Sequence, residues 1–280
     1  VFILIFVPAG LFSQLSPLDT IPVSDTVLLK TGVLKSAGDM TVETRVDSVY
    51  TLVLNELLAS NSGSYFDNYG DADDWFEIYN YGEDPVLLDL LYFTDDPAEP
   101  YKWKMDSIAE LNPEEHLIIW ADDEPEEGYN HASFRLSAEG EYLAIHAEDG
   151  SLIDQRYFGA QTTNVSYGRF PDAGLIWNFF SVPTPGEANS SPGAGTILPA
   201  PTSNLTGGFY SAPVELALYS SASGASIYYT TDCTIPDSTD LLYQAPVEIN
   251  NTTIVRARLI REGAIAGPVL TISILMDETE

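Results

Sequence analysis

The chain has 280 residues, with 42 Asp and Glu against 11 Lys and Arg, a formal charge of −31 and a sequence pI near 4.1. So large an acidic surplus excludes nucleic acid and acidic membrane surfaces as partners, because both demand a clustered basic face. Disorder is excluded too, since 45% hydrophobic and 11% aromatic residues supply a packed core.

Val1 to Phe12 is almost wholly apolar and is followed by Ser13. Such a run is too short to span a bilayer, which takes about 20 residues, and it suits the hydrophobic region of a secretory signal. Residues 1–14 are therefore expected to be a signal-peptide remnant and the protein to be secreted or held at a cell surface, with 15–50 as a polar extension. From Tyr50 onward short runs of branched and aromatic residues alternate with Gly, Pro, Asn and Asp. The runs Leu52–Leu58, Trp75–Tyr79, Val86–Phe93, His116–Trp120, Tyr142–Ala147 and Leu152–Tyr157 are predicted strands. Ser190 to Pro201 reads SSPGAGTILPAP, a Gly/Pro/Ser-rich stretch that predicts a linker over 190–198. Beyond it Val214–Tyr219, Ala225–Thr230, Ala245–Ile249, Thr253–Ile260 and Val269–Leu275 are again strand-like. No run keeps helical spacing over a dozen residues. The reading is all-β, two consecutive domains of sandwich or barrel type at 51–189 and 199–275. The ending MDETE, straight after a strand, predicts a chain cut short at 276–280.

The acidic surplus is concentrated in one place. Residues 51–189 hold 28 acids and 5 bases, a net of −23. Within them Asp67, Asp71, Asp73, Asp74 and Glu77 put five carboxylates into one turn-rich stretch, and Glu56 lies on the preceding strand. Hard cations take six to eight oxygens, so these six residues are candidate ligands for calcium, the one cofactor expected. The neighbouring Asp122–Glu127 acids are read as a solvated loop. Tyr65, Phe66 and Tyr69 lack strand alternation and are candidate ligand-binding rings. His116, His131 and His146 are widely spread, Cys233 is a lone cysteine, and neither a nucleophile elbow nor a phosphate-binding glycine loop is present. No catalytic constellation emerges, and no catalysis is expected of this chain.

The motifs LVLNELLASN, DDWFEIYNYG, LLDLLYFTDD, LNPEEHLIIWAD, HASFRLSAEGEYLAIHAEDGSLID, SYGRFPD and PTPGEAN follow one another across residues 51–189. In that order they resemble the bacterial secreted form of the lamin tail domain. GFYSAPVELAL, IYYTTD, YQAPVEI and TTIVRAR across residues 199–275 resemble the chitobiase and beta-hexosaminidase C-terminal domain. The two resemblances imply consecutive immunoglobulin-like β-sandwiches. They further imply a noncatalytic exported region that binds or spaces, with an extracellular polymer, glycan or protein as partner. A second reading makes both modules accessory to a larger secreted enzyme, a spore-coat kinase-like protein, nuclease or hydrolase, whose catalytic domain would follow Glu280.

Overall fold

The structure is a computed structural model that describes residues 50–107 and 109–276. The expected signal remnant, the extension up to residue 49 and the tail residues 277–280 lie outside the described residues.

The first part runs through β1 (Leu52–Leu58), β2 (Trp75–Asn80), the short β3 (Val86–Leu87), a 3-10 turn at Leu88–Leu90 and β4 (Leu91–Thr94). It continues with β5 (Trp103–Lys104), β6 (Glu110–Leu111), β7 (His116–Trp120), β8 (Gly140–Ala147), β9 (Leu152–Gly159), β10 (Ser166–Arg169) and β11 (Trp177–Phe180). One antiparallel sheet has the order β11-β10-β1-β2-β7 and another the order β5-β4-β8-β9, with β3 and β6 paired by themselves. Leu52, Leu54, Leu57, Phe76, Ile78 and Ile119 of the first sheet share one buried cluster with Leu91, Phe93, Leu143 and Ile145 of the second. Phe76 and Phe93 meet across it with ring centroids 5.6 Å apart. This is the layered arrangement of a sandwich, driven by removing these apolar faces from water.

In β2 the alternation places Phe76 and Ile78 in that core, but the opposite face is covered as well. Trp75 packs with Leu58 and Trp120 in a second, smaller cluster, and Glu77 is fully buried. A bulge explains how polar groups collect there. The β1–β2 register pairs Leu54 with Ile78 and then Glu56 with Glu77, so Asn55 is the extra residue. Asn55 and Glu56 thereby both join Glu77 on the outer face, where all three are shielded from water.

The second part holds β12 (Thr202–Ser203), β13 (Gly208–Tyr210), β14 (Val214–Leu216), β15 (Leu218–Tyr219), β16 (Ser226–Thr230), β17 (Leu241–Leu242), β18 (Val247–Ile249), β19 (Thr253–Ile260) and β20 (Leu270–Met276). Its largest sheet has the order β13-β20-β19-β16-β17, in which only β13 and β20 run parallel. Two-stranded ladders β12–β15 and β14–β18 accompany it. Val255, Ala257 and Leu259 point inward with Leu216, Leu218 and Ile272, as their alternation predicts. The outward arginines of the same run do not form a basic strip. Arg256 donates to Cys233 O, Arg258 to Gly267 O and Ala266 O, and Arg261 to Ser223 O, so each guanidinium fastens a loop.

The Gly/Pro-rich stretch is bonded at both ends. Ala194 and Phe179 exchange N–H···O bonds of 2.8 Å, while Leu198 N donates to Ile265 O and Ile265 N to Thr196 O.

Candidate functional site

Two groups of side chains on the first part concentrate its chemistry. The first joins the 67–71 loop to the 122–131 segment. Asp67 Oδ1 accepts three backbone N–H bonds, from Tyr69, Gly70 and Asp71, at 2.7 to 2.9 Å. Its other oxygen is left buried with no hydrogen-bond partner. Glu127 Oε2 is likewise buried without a hydrogen bond, 3.7 Å from His131 Nδ1. The ligand atoms of Asp67, Glu127 and His131 all lie within 4.8 Å of one another. Asp122 Oδ2, at 2.5 Å, backs His131 Nδ1, and the Tyr69 hydroxyl donates to Glu127 O, tying the two segments together. Burial, then the charges of Asp122, Asp67 and Asp71, push the Asp73 carboxyl above its ordinary value. Burial and the Glu124 charge do the same to Glu127. Negative charge is thus crowded around buried lone pairs, and Asp67, Glu127 and His131 could coordinate a divalent cation.

Of the six residues predicted as calcium ligands, Asp67 enters this cluster and Asp73 lies close enough to feel its charges. Asp71 is exposed and meets Asp67 through its backbone. Asp74 turns away and accepts from Asn61 N at 2.8 Å. Glu127 and His131 were not predicted. The signal for them was the i,i+4 pair of a carboxylate and an imidazole, with Glu127 closing the acidic run read as solvated and His131 lying beyond it.

Glu56 and Glu77 belong to the second group, a polar network beneath residues 183–189. Glu77 Oε1 accepts from Asn55 Nδ2 at 3.1 Å, and Oε2 from Gly186 N at 2.6 Å. Glu56 accepts from the Ser166 hydroxyl and, at 3.3 Å, from Thr184 N. Asp172 Oδ1 accepts from Asn55 Nδ2 and from Asn189 N, both at 3.1 Å. His116 Nε2 lies 3.5 Å from Asp172 Oδ2 and 3.9 Å from Glu77 Oε1, and its ring stacks on Tyr79 at 4.3 Å. Arg169 donates to Leu54 O, Gly174 O and Asp154 Oδ2 beside this network. Burial raises the pKa of Glu56, and raises that of Glu77 well above the ordinary carboxyl value. Burial also opposes ionisation of Asp172, but His116, Asn55 and the Asn189 N–H outweigh it and hold that carboxyl below its usual value.

The outer side of the same segment forms one wall of an open groove of about 600 Å³. Tyr65, Val182, Pro183 and Pro185 line it together with Asn164 and Glu187. Tyr65 is half-buried, stacked on Trp120 at 5.7 Å and edge-on to Trp75 at 6.4 Å, so its ring is fixed in place. Phe66 and Tyr69 are exposed at 54% and 59%, outside that aromatic stack. The three rings picked from the sequence therefore divide into one groove wall and two surface side chains. Among the described residues no hydrogen bond joins a Ser, Thr or Cys side chain to a histidine.

Residues 205–271 match the family described as Chitobiase/beta-hexosaminidase C-terminal domain, within the 199–275 span expected for it. No curated protein matches the chain. Among solved structures, the crystal structure of murine CEACAM1b is similar at 15% identity over 72% of this chain and 94% of that one, with a TM-score of 0.19. A superposition of that quality carries no argument about the fold.

Proposed function

We propose that this chain, with its chitobiase/beta-hexosaminidase C-terminal-type domain at 205–271, is a noncatalytic, exported binding and spacer region. In this reading residues 51–189 form a lamin-tail-like domain and both parts are immunoglobulin-like sandwiches, working at a cell surface or in its matrix. The apolar start Val1–Phe12 supports export. The partner is an extracellular polymer, a glycan first of all, and the acidic surface favours a neutral or cationic one.

The observation that carries this reading is the groove beside residues 181–187. A fixed aromatic ring at Tyr65 and two prolines offer flat apolar contact to a sugar face. Ser64, Asn164 and Glu187 supply hydrogen-bonding groups at its rim. The Asp67–Glu127–His131 cluster holds a divalent cation that fastens the 67–71 loop to the 122–131 segment. Calcium would draw on the carboxylate oxygens alone, whereas use of the imidazole nitrogen would favour a transition ion.

A glycan and matrix-polymer array probed with the purified chain tests the binding role. Binding by the unaltered chain and its loss in Val182→Asp, at a side chain 75% exposed, is the expected pair of results. Silence across the array would overturn the binding reading, and binding untouched by Val182→Asp would remove the ligand from this groove.

A further inference from the structure

The hydrogen bonds around Thr184 bear on the protonation of a buried acid. Asn189 Nδ2 donates to Arg169 O at 2.8 Å, which makes its Oδ1 the acceptor. That oxygen lies 2.7 Å from Thr184 Oγ1, the shorter of the hydroxyl's two contacts with an acceptor, and we assign it the hydroxyl's single proton. The same Thr184 Oγ1 lies 3.0 Å from Glu56 Oε2. A hydroxyl whose proton is committed elsewhere can only accept, and an ionised carboxylate has nothing to donate. Two oxygens would face each other there with no proton between them, in a site where Glu56 is shielded from water. We propose that Glu56 is a neutral carboxylic acid that donates from Oε2 to Thr184 Oγ1, and that this proton closes residues 183–189 over the outer face of the first sheet, a pH-sensitive latch.

The surroundings favour the proton. Glu77 lies directly opposite Glu56 in the β1–β2 register, and Asp172 places a negative charge nearby from the loop after β10. His116, from β7, is engaged between Asp172 and Glu77. Arg169, from β10, spends its guanidinium on Leu54 O, Gly174 O and the Asp154 carboxylate of β9, and none of these bonds reaches Glu56. Burial, reinforced by Asp172, raises the Glu56 pKa against the opposing hydrogen bonds donated by the Ser166 hydroxyl and the Thr184 N–H.

Three points hold the segment down: Thr184 on Glu56, Gly186 N on Glu77 and Asn189 N on Asp172. The closed form binds the proton, so closure is complete at low pH and is lost as pH rises through the folded-state pKa of Glu56. Between the open-form and closed-form pKa values each pH unit weakens closure about tenfold, and above the closed-form value the dependence ends. Since Thr184 also lines the groove, loss of the proton loosens a groove wall, although the latch itself requires no ligand.

Amide hydrogen exchange of the full chain between about pH 5 and about pH 9, corrected for intrinsic exchange, reads the latch directly. Protection at Thr184 and Gly186 should fall about tenfold per pH unit through that window, while Phe76 and Ile78 in β2 keep theirs. Glu56→Gln should hold Thr184 and Gly186 protected throughout, because its amide nitrogen donates to Thr184 and its oxygen accepts from Ser166. The Glu56 carboxyl ¹³C shift of the unaltered chain near about pH 7 gives a reading free of any substitution, and a neutral acid is expected. A carboxylate shift there, flat protection across the range, or a Glu56→Gln variant that loosens in step with the unaltered chain would each overturn the proposal.

Discussion

A methyl group placed on Gly267 would lie 1.7 Å from Leu198 O and 2.6 Å from Leu198 C. Both are backbone atoms, so no side-chain rotation relieves the overlap and the 198–199 segment must move bodily in Gly267→Ala. That movement breaks the 2.9 Å bond from Leu198 N to Ile265 O, a loss of about 1 kcal/mol. It also lifts Leu198, 2% exposed, from the second core, at about 1.5–3 kcal/mol. Arg258, which donates to Gly267 O and Ala266 O at 2.7 and 2.8 Å, loses its alignment too. The hydrogen bond and the Leu198 burial together come to about 2.5–4 kcal/mol, before any loss at Arg258, against a total stability of about 5–15 kcal/mol for an ordinary domain. Urea unfolding followed by a probe in residues 199–276 should therefore show a midpoint far below that of the unaltered chain. A change under about 0.5 kcal/mol would refute the close backbone approach that the reasoning rests on.

The buried acids set a pH dependence. Unfolded Glu77 gives up its proton near its ordinary value of 4.5, whereas burial keeps the folded group protonated to higher pH. The folded state thus binds more protons in that window, and stability falls as pH rises, by up to about 1.4 kcal/mol per pH unit for one such group. Glu77→Gln should flatten the slope in a urea series above pH 4.5, and stability that rises through the window would contradict the sign. Divalent cation at about tenfold its Kd should add about 1.4 kcal/mol and raise the Tm of the first part by about 3–6 °C. Calcium and zinc titrations should both be run, and Asp67→Asn combined with Glu127→Gln should erase whichever gain is seen. No shift with either ion would remove the cation from the cluster.

Strand positions were legible where one face of a strand meets the core. Leu52–Leu58, His116–Trp120 and Thr253–Ile260 lie where the sequence predicts them. Val86–Phe93 was read as one strand, but Leu88–Leu90 forms a 3-10 turn, and the halves on either side pair with different partners, β6 and β8. A continuous apolar run cannot announce such a break, because Val86, Leu88, Leu91 and Phe93 are buried on both sides of it. β10 carries Gly168 and Arg169, residues that strand propensity does not favour, and its position in the sheet depends on pairing with β1 and β11 across more than a hundred and about ten residues of sequence.

The acids show where local reading stops. Sequence density marked the stretch from Asp67 to Glu77 as one unit, yet within it Asp67 faces the 122–131 segment while Glu77 faces the 183–189 segment. Strand geometry forces that separation: once Trp75 begins β2, successive side chains leave on opposite faces, and the loop acids before it follow no such rule. What then decides the chemistry of each carboxyl is a partner far along the chain. Glu56 meets Thr184 at a separation of 128 residues, and Asn55 meets Asp172 at 117. The formal charge of −31 counts every acid as ionised, but Glu56 and Glu77 are removed from water with raised pKa values, so the interior contributes less negative charge than the sequence total implies. The surplus that repels polyanions resides in exposed loops, and the acids inside hold chain segments together through protons and hydrogen bonds.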